Sequence, residues 1–340
     1  MKKLFCCFAV MMLALGLSLP AQAKTVWKFS TFFDEDHALT RGAIKFKEEI
    51  EKKHGDKLEI KIYTLNQLGD GRENIESLQV GTLELAEAGT PWTASFSDAF
   101  LPLSMPYLFL TREAAYEILD GEFGQRMIKR FEEQAGIKLL GFWENGIRHI
   151  TNGKRPINTP ADMKDLKIRV QQDPTHIAIF RALGANPTPM AFGEVFTALQ
   201  QNVIDGQENP FANIVQRKFY EVQKYMSTTA HVYDVTGFYI NLDLFEDQSP
   251  EMQKDILEAA AIATKHQREQ ASIQDERYLK RLVDYGKMEI TYLTPEQLKP
   301  FKEACAPVYK EVEAMLAKNN KEFAKIVFEM LAAIAKIEGK

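Results

Sequence analysis

The sequence predicts an α/β protein built on a largely parallel sheet. Three observations carry that reading. Short β-branched or aromatic runs alternate with helical-period segments from residue 26 onward. The 340 residues are 45% hydrophobic and 26% charged with a net charge of −5, the balance of a globular chain rather than a disordered one. One helical pattern, residues 250–285, runs 36 residues without Gly or an internal Pro. At 1.5 Å per residue it would extend ~54 Å, longer than one domain is wide, so it should brace two lobes.

The elements follow in order. Met1-Lys2-Lys3, an apolar run from Leu4 to Pro20 and the close Ala21-Gln22-Ala23 read as a secretory signal peptide over residues 1–23, which predicts a periplasmic protein. Cleavage there removes Cys6 and Cys7, leaving 317 residues, a charge of −7 and Cys305 alone. This excludes an intramolecular disulfide and makes Cys305 a buried structural thiol. Val26 to Phe33 reads as a strand, and Leu39, Ala43, Phe46 and Ile50 mark a helix that stops at Lys52-Lys53-His54-Gly55. Leu58, Ile60, Ile62 and Thr64 share one strand face. A helix with Ile75 and Leu78 follows the Gly69-Asp70-Gly71 turn, and Leu83 to Ala88 is a short strand.

The alternation continues with a helix around Phe123, Met127 and Phe131 closed by Gly136, then a strand from Ile137 to Trp143. Thr159-Pro160 is a helix cap, Leu166 to Gln171 alternates as a strand, Ile177 to Leu183 is a helix ending at Gly184, and Glu194 to Asn202 is an amphipathic turn before the Asp205-Gly206 break. Beyond residue 230 the strand signals thin out. Thr294-Pro295-Glu296-Gln297 caps a C-terminal segment with an apolar stripe from Val312 to Ile334.

Catalytic signatures are missing. The histidines at 37, 54, 149, 176, 231 and 266 are scattered, with no zinc-protease, nucleophile-elbow or phosphate-loop pattern. Asp34-Glu35-Asp36-His37 matches no calcium loop and reads as a solvated turn before a helix; no metal or cofactor is expected. The acidic balance, with no long Lys/Arg run, argues against nucleic acid. Arg169 supports two readings. By strand alternation it faces away from Leu166, Ile168 and Val170, either as an ion-paired surface arginine or as a fork for a carboxylate in a cleft.

The segment Leu166-Lys167-Ile168-Arg169-Val170-Gln171, with Gly184 to Gln200 and Val203-Ile204-Asp205-Gly206-Gln207-Glu208-Asn209-Pro210, resembles one family. It is similar to the DctP-type extracytoplasmic solute-binding subunits of TRAP (tripartite ATP-independent periplasmic) transporters. Gln67-Leu68-Gly69, Gly81 to Leu85 and Gly146 to Asn152 extend the resemblance across most of the chain. It implies a non-enzymatic organic-acid binder with a two-lobe periplasmic-binding fold, each lobe a mixed sheet flanked by helices. Lobe I would hold residues 24–145 plus 236–275 and lobe II residues 146–235 plus 276–340. The implied partners are a carboxylate ligand and the small and large membrane subunits. A monomer is expected, with dimerisation through the C-terminal helices left open.

The resemblance also assigns roles. Arg169 would take the ligand carboxylate as a bidentate pair, with Arg148 as a second arginine, Asn209 as an amide donor and Phe192 packed under the ligand. Glu87 would contact distal hydroxyls, and Phe33, Trp92, Tyr233 and Asp234 would line the lobe I side of the cleft. Because Glu87 would repel a second carboxylate, and only His37 and Arg41 offer another cation nearby, the expected substrate is a sugar acid or a bulky hydroxy or oxo acid. A C4-dicarboxylate is the alternative substrate. A carboxylate sensor and a secreted enzyme acting on the same acids are the alternative classes.

Overall fold

The computed structural model describes residues 24–339, so the expected leader lies outside the described residues. Nine strands form one continuous sheet: β1 (Thr25–Ser30), β2 (Leu58–Tyr63), β3 (Leu85–Gly89), β4 (Ile137–Asn152), β5 (Lys167–Val170), β6 (Asn186–Pro189), β7 (Gly206–Asn209), β8 (Tyr225–Asn241) and β9 (Glu289–Thr291). The helices are α1 (Ala38–His54), α2 (Gly71–Gln79), α3 (Arg112–Asp120), α4 (Glu122–Ala135), α5 (Pro174–Ala182), α6 (Val195–Gln200), α7 (Phe211–Gln216), α8 (Leu242–Glu246), α9 (Pro250–Tyr285), α10 (Pro295–Asn319), α11 (Lys321–Ala324) and α12 (Ile326–Ile337).

The strand order β2-β1-β3-β8-β4-β7-β5-β6, with β9 beside β8, gives a mixed rather than a largely parallel sheet. Strands β1, β2 and β3 at one end are mutually parallel, as are β5, β6 and β7 at the other. The two groups are joined through the long antiparallel pair β4 and β8. The register of that pair slips between Glu144 and Gly146, where Gly146 takes φ +127°, a backbone conformation that side-chain-bearing residues rarely adopt.

Strand β8 corrects the expectation that strands thin out beyond residue 230. It is 17 residues long, and from His231 to Asn241 it is buried without a break. With both faces covered, the alternation that marks a half-exposed strand is absent, and Thr229 and His231 are buried polar residues rather than a loop. The Thr159-Pro160 cap opens only a single 3₁₀ turn, Pro160–Met163.

Helix α9 spans Pro250–Tyr285, as its composition required. The Ser249 hydroxyl caps its start by accepting from the Met252 N–H, and Gly286 ends it in the left-handed region. It packs on α1, β4 and α7, touching elements joined to both ends of the sheet. Gln267 on α9 ties into the register slip, accepting from the Glu144 N–H at 2.9 Å and donating to the Glu144 carbonyl at 2.6 Å. The C-terminal stripe is divided among α10, α11 and α12 and lies buried against the chain's own core. Cys305 is fully buried, and that burial pushes its thiol up to about 12, in keeping with a structural role.

Candidate functional site

A narrow, nearly closed cleft lies between the two ends of the sheet. Phe32, Phe33, Glu87 and Trp92 bound it on the β1–β3 side, and Gln171, Phe192, Asn209 and Asn213 on the β5–β7 side; Asn145 comes from β4. Five of the residues expected from sequence, Phe33, Glu87, Trp92, Phe192 and Asn209, therefore meet around one space.

Its walls are aromatic. Phe33 meets Phe192 edge to face at 5.8 Å and stacks on His37 at 3.9 Å, while Trp92 lies 4.9 Å from Phe32 and 6.4 Å from Phe192. Trp92 reaches this position because it lies over Gly71, where a β-carbon would come within 1.8 Å of the indole. Such rings exclude water and offer flat apolar faces to the carbon skeleton of a ligand.

Arg169 stands on β5, two residues before Gln171 on the same strand face. It is fully buried, with its guanidinium 5.7 Å from the Phe192 ring. Nε and Nη2 both donate to the Met190 carbonyl, at 3.0 and 2.6 Å, and Nη1 has no partner. No carboxylate of the described residues pairs with it, and burial lowers its pKa to about 10. The Nε edge is thus occupied, while the Nη1–Nη2 end remains for a two-pronged contact. An unpaired buried guanidinium is costly, and an arriving carboxylate would remove that cost.

Arg148 departs from its expected role. It is fully buried, but Nε and Nη2 grip the Glu208 carboxylate, with Nη2 at 2.8 Å, and Nη1 pairs with Asp234. Every nitrogen of its guanidinium is engaged, and the residue does not border the cavity. Burial, the largest single influence, would raise the Glu208 carboxyl, but the Arg148 charge and the hydrogen bonds to the carboxylate together outweigh it and hold the group well below the ordinary carboxylate range. His231 Nε2 lies 3.1 Å from the same carboxylate and His176 Nδ1 3.7 Å.

Asp234 and Tyr233 are also corrected. Asp234 accepts from Arg148 and from Asn145 Nδ2, the latter at 2.7 Å, so it orients Asn145 rather than facing the cavity. Asn145 Oδ1 is left buried and unpartnered. Tyr233 falls on the other strand face by alternation, where its hydroxyl donates to Glu144 at 3.0 Å.

Glu87, from the fully buried strand β3, accepts the Thr31 hydroxyl at 3.0 Å and the Phe32 N–H at 3.1 Å on Oε1, while Oε2 has no partner. Asn209 belongs to a chain of amides. The Leu39 N–H donates to His37 Nδ1, which places the His37 proton on Nε2 and lets it donate to Asn213 Oδ1. Asn213 Nδ2 then donates to Asn209 Oδ1, Asn209 to Gln207, and Gln207 to Thr151. The chain fixes the Asn209 amide and leaves one of its N–H donors for a ligand.

Sequence reading missed Asn145, Gln171, Asn213 and Arg217. The position of Gln171 two residues beyond Arg169 was a usable signal. Nothing local marks Arg217, which follows α7. Its guanidinium lies 4.9 Å from the Phe192 ring, on Nη2 donates to the Phe32 carbonyl at 2.7 Å, and leaves Nε buried without a partner. The cations expected from His37 and Arg41 are not available to the cavity. Burial depresses His37 to about 3, so it is neutral, and Arg41 pairs with Asp36 at 2.9 Å.

Residues 29–315 match the family described as bacterial extracellular solute-binding protein, family 7 (DctP). The chain is 34% identical over 276 residues to the 2,3-diketo-L-gulonate-binding periplasmic protein YiaO of Escherichia coli, covering 81% of this chain and 83% of that protein. It is 33% identical to the C4-dicarboxylate-binding periplasmic protein DctP of Rhodobacter capsulatus, covering 88% and 90%. Among solved structures, the sugar acid binding protein DctPAm of Advenella mimigardefordensis in complex with galactonate superposes with a TM-score of 0.86 at 30% identity, covering 92% of this chain and 98% of that one.

Proposed function

This chain belongs to bacterial extracellular solute-binding protein family 7, and from that premise we propose that it captures a sugar acid or a bulky hydroxy or oxo acid. Membership makes it the organic-acid-binding component of a TRAP transporter, with a two-lobe α/β fold. The observation that carries the substrate reading is the asymmetry of the cavity. Arg169, which lies 5.7 Å from the Phe192 wall rather than in the lining itself, keeps one cationic end free, whereas Glu87 Oε2, Gln171 Oε1 and Asn145 Oδ1 are buried polar atoms without partners on residues that line the cavity. A ligand with one carboxylate for Arg169 and several hydroxyl groups, which can donate to the amide oxygens, satisfies these groups.

The carboxylate docks end-on at Arg169 with the Asn209 amide beside it, the chain stacks on Phe192, Phe33 and Trp92, and the distal oxygens meet Glu87. Arg148 acts from behind, holding Glu208 and Asp234 in place. The lobes divide into 24–145 plus 236–275 and 146–235 plus 276–340, a division supported by the Glu144–Gly146 slip where β4 passes between them. Closure of the cleft then presents the loaded protein to the small and large membrane subunits after export through a cleaved leader. The proposed working unit is a monomer, a reading supported by the burial of the C-terminal stripe against the chain's own core.

The second reading, a C4-dicarboxylate binder, draws on Arg217, a half-buried guanidinium that pairs with no carboxylate of the described residues and lies against Phe33 and Phe192. A thermal-shift panel of galactonate, galacturonate, glucuronate, diketogulonate, succinate and malate separates the two. Stabilisation by sugar acids is expected, and a response confined to succinate or malate would overturn the substrate proposal.

A further inference from the structure

Three buried glutamates stand among the described residues, and two of them are paired with arginine: Glu144 with Arg112 at 2.8 Å, and Glu208 with Arg148. Glu87 is the exception. Only 1% exposed, it faces the cavity with no cation in ion-pair range, and both of its donors, the Thr31 hydroxyl and the Phe32 amide, are neutral and converge on Oε1. The charged and titratable groups around it come from two places in the fold. Asp234 and Tyr239 lie on β8, and Arg217 follows α7. Asp234 disfavours a second negative charge and Arg217 favours one, the weaker of the two influences, while Tyr239 is a neutral hydroxyl. A carboxylate placed so would normally be avoided, because ionisation without a paired cation forfeits its hydration.

We propose that Glu87 serves as a neutral carboxylic acid, donating its proton from Oε2 to an acceptor oxygen at the distal end of the ligand. The inference rests on the reading that the ligand carboxylate docks at Arg169. It reverses the sequence-based expectation that Glu87 accepts from hydroxyls and repels a second acid. The free oxygen then carries the proton, Oε1 takes the two donors, and the orphaned atom becomes a directed donor. Burial is the main influence on this carboxyl and pushes it up to about 8, in accord with the geometry.

Two consequences follow. The ligand class is narrowed to acids bearing a hydroxyl, carbonyl or ring oxygen opposite the carboxylate, and acids with an ammonium group there are disfavoured. Binding is also coupled to a proton. The ligand brings a negative charge into the cavity and caps Oε2–H, so the complex holds its proton more tightly than the free protein does, and affinity falls as pH rises through about 8.

Calorimetry on the leader-free protein tests this, with D-galactonate and, in parallel, succinate as probes in two buffers of different protonation enthalpy. The expected result is a loss of about tenfold in affinity between pH about 7 and about 9, with net proton uptake, and the abolition of both in Glu87→Gln. A flat profile without buffer dependence, or a pH dependence that persists in Glu87→Gln, would overturn the proposal. Infrared spectroscopy needs no ligand: the free protein near pH 7 should show a protonated-carboxyl C=O band that Glu87→Gln removes, and its absence also overturns the proposal. If neither probe binds at any pH while that band is present, the failure belongs to the Arg169 docking reading and not to Glu87.

Discussion

His37 and Asn213 are 176 positions apart and joined by a hydrogen bond across the cavity, with His37 Nε2 donating to Asn213 Oδ1 at 3.1 Å. His37 caps the start of α1, near β1, and Asn213 lies on α7, which follows β7, so the contact bridges the two ends of the sheet. Opening the cleft must break it. Asn213 also passes the bond on to Asn209, so one side chain both latches the cleft and aims a ligand donor. Replacing it with leucine keeps the volume but leaves His37 Nε2 and Asn209 Oδ1 without partners, at a cost of about 1–3 kcal/mol each. Asn213→Leu is expected to release a bound sugar acid at least about tenfold faster with a nearly unchanged association rate. Stopped-flow fluorescence, read through Trp92, measures both rates, and equal dissociation rates would show that the latch does not hold the closed form.

Arg169 carries a different cost. Its guanidinium is buried against one backbone carbonyl and one aromatic ring, with no anion beside it. Arg169→Lys retains the charge but loses the planar fork, so ligand affinity should drop by more than tenfold, about 1.4 kcal/mol or more. Arg169→Met should abolish binding yet raise the melting temperature of the ligand-free protein, because an unpaired buried cation is replaced by an apolar chain of similar size. Calorimetry and a melting curve on the same two variants check the pair of outcomes.

Arg148 should behave in the opposite way. Removing it strands Glu208 and Asp234, both buried, so Arg148→Met is expected to destabilise the fold by about 3–5 kcal/mol with or without ligand. Denaturant unfolding of the ligand-free variant measures this, and a loss of affinity without loss of stability would instead assign Arg148 to the ligand.

These contrasts mark what the sequence could disclose. The elements with local periodicity and caps, α1, α2 and the 36-residue α9, were legible because their signals lie within a few turns of chain. Strand β8 was not, since burial on both faces erases alternation. At the site, the strand position of Arg169 was readable, but the partner sets that separate Arg148 from Arg169 were not. Glu208 lies 60 residues from Arg148 and Asp234 lies 86, and no local pattern records which guanidinium they occupy. The same distance hid Arg217, which is brought to Phe33 from 184 positions away.

Gly71 controls the cavity wall without touching ligand. A β-carbon there would sit 1.8 Å from the Trp92 indole, so Gly71→Ala must displace the ring. Trp92 is only partly buried and can swing outward, which limits the effect on stability to about 1 kcal/mol. Affinity should fall several-fold, and the quenching of Trp92 fluorescence by ligand should weaken with it. Wild-type affinity in Gly71→Ala would mean that the indole contributes nothing to binding.

Acid sensitivity follows from a histidine outside the cavity. His149 stacks on Phe211 at 4.3 Å, its Nδ1 accepts the Ala230 N–H at 3.1 Å, and burial lowers its pKa to about 3, with the neighbouring His231 acting in the same direction. The unfolded chain takes up a proton there near pH 6.5, whereas the folded chain resists until about 3. His149 therefore contributes its full stability above about 6.5, and that contribution is lost as pH falls toward 3, on the order of 1 kcal/mol per pH unit. His149→Gln keeps an oxygen that can accept from Ala230 but cannot take up a proton. Its stability relative to wild type should rise steadily as pH is lowered from about 6.5 to about 4.5 and stay constant above neutrality. Urea unfolding of both proteins across that range measures the difference, and a difference independent of pH would show that His149 titrates alike in the folded and unfolded chains.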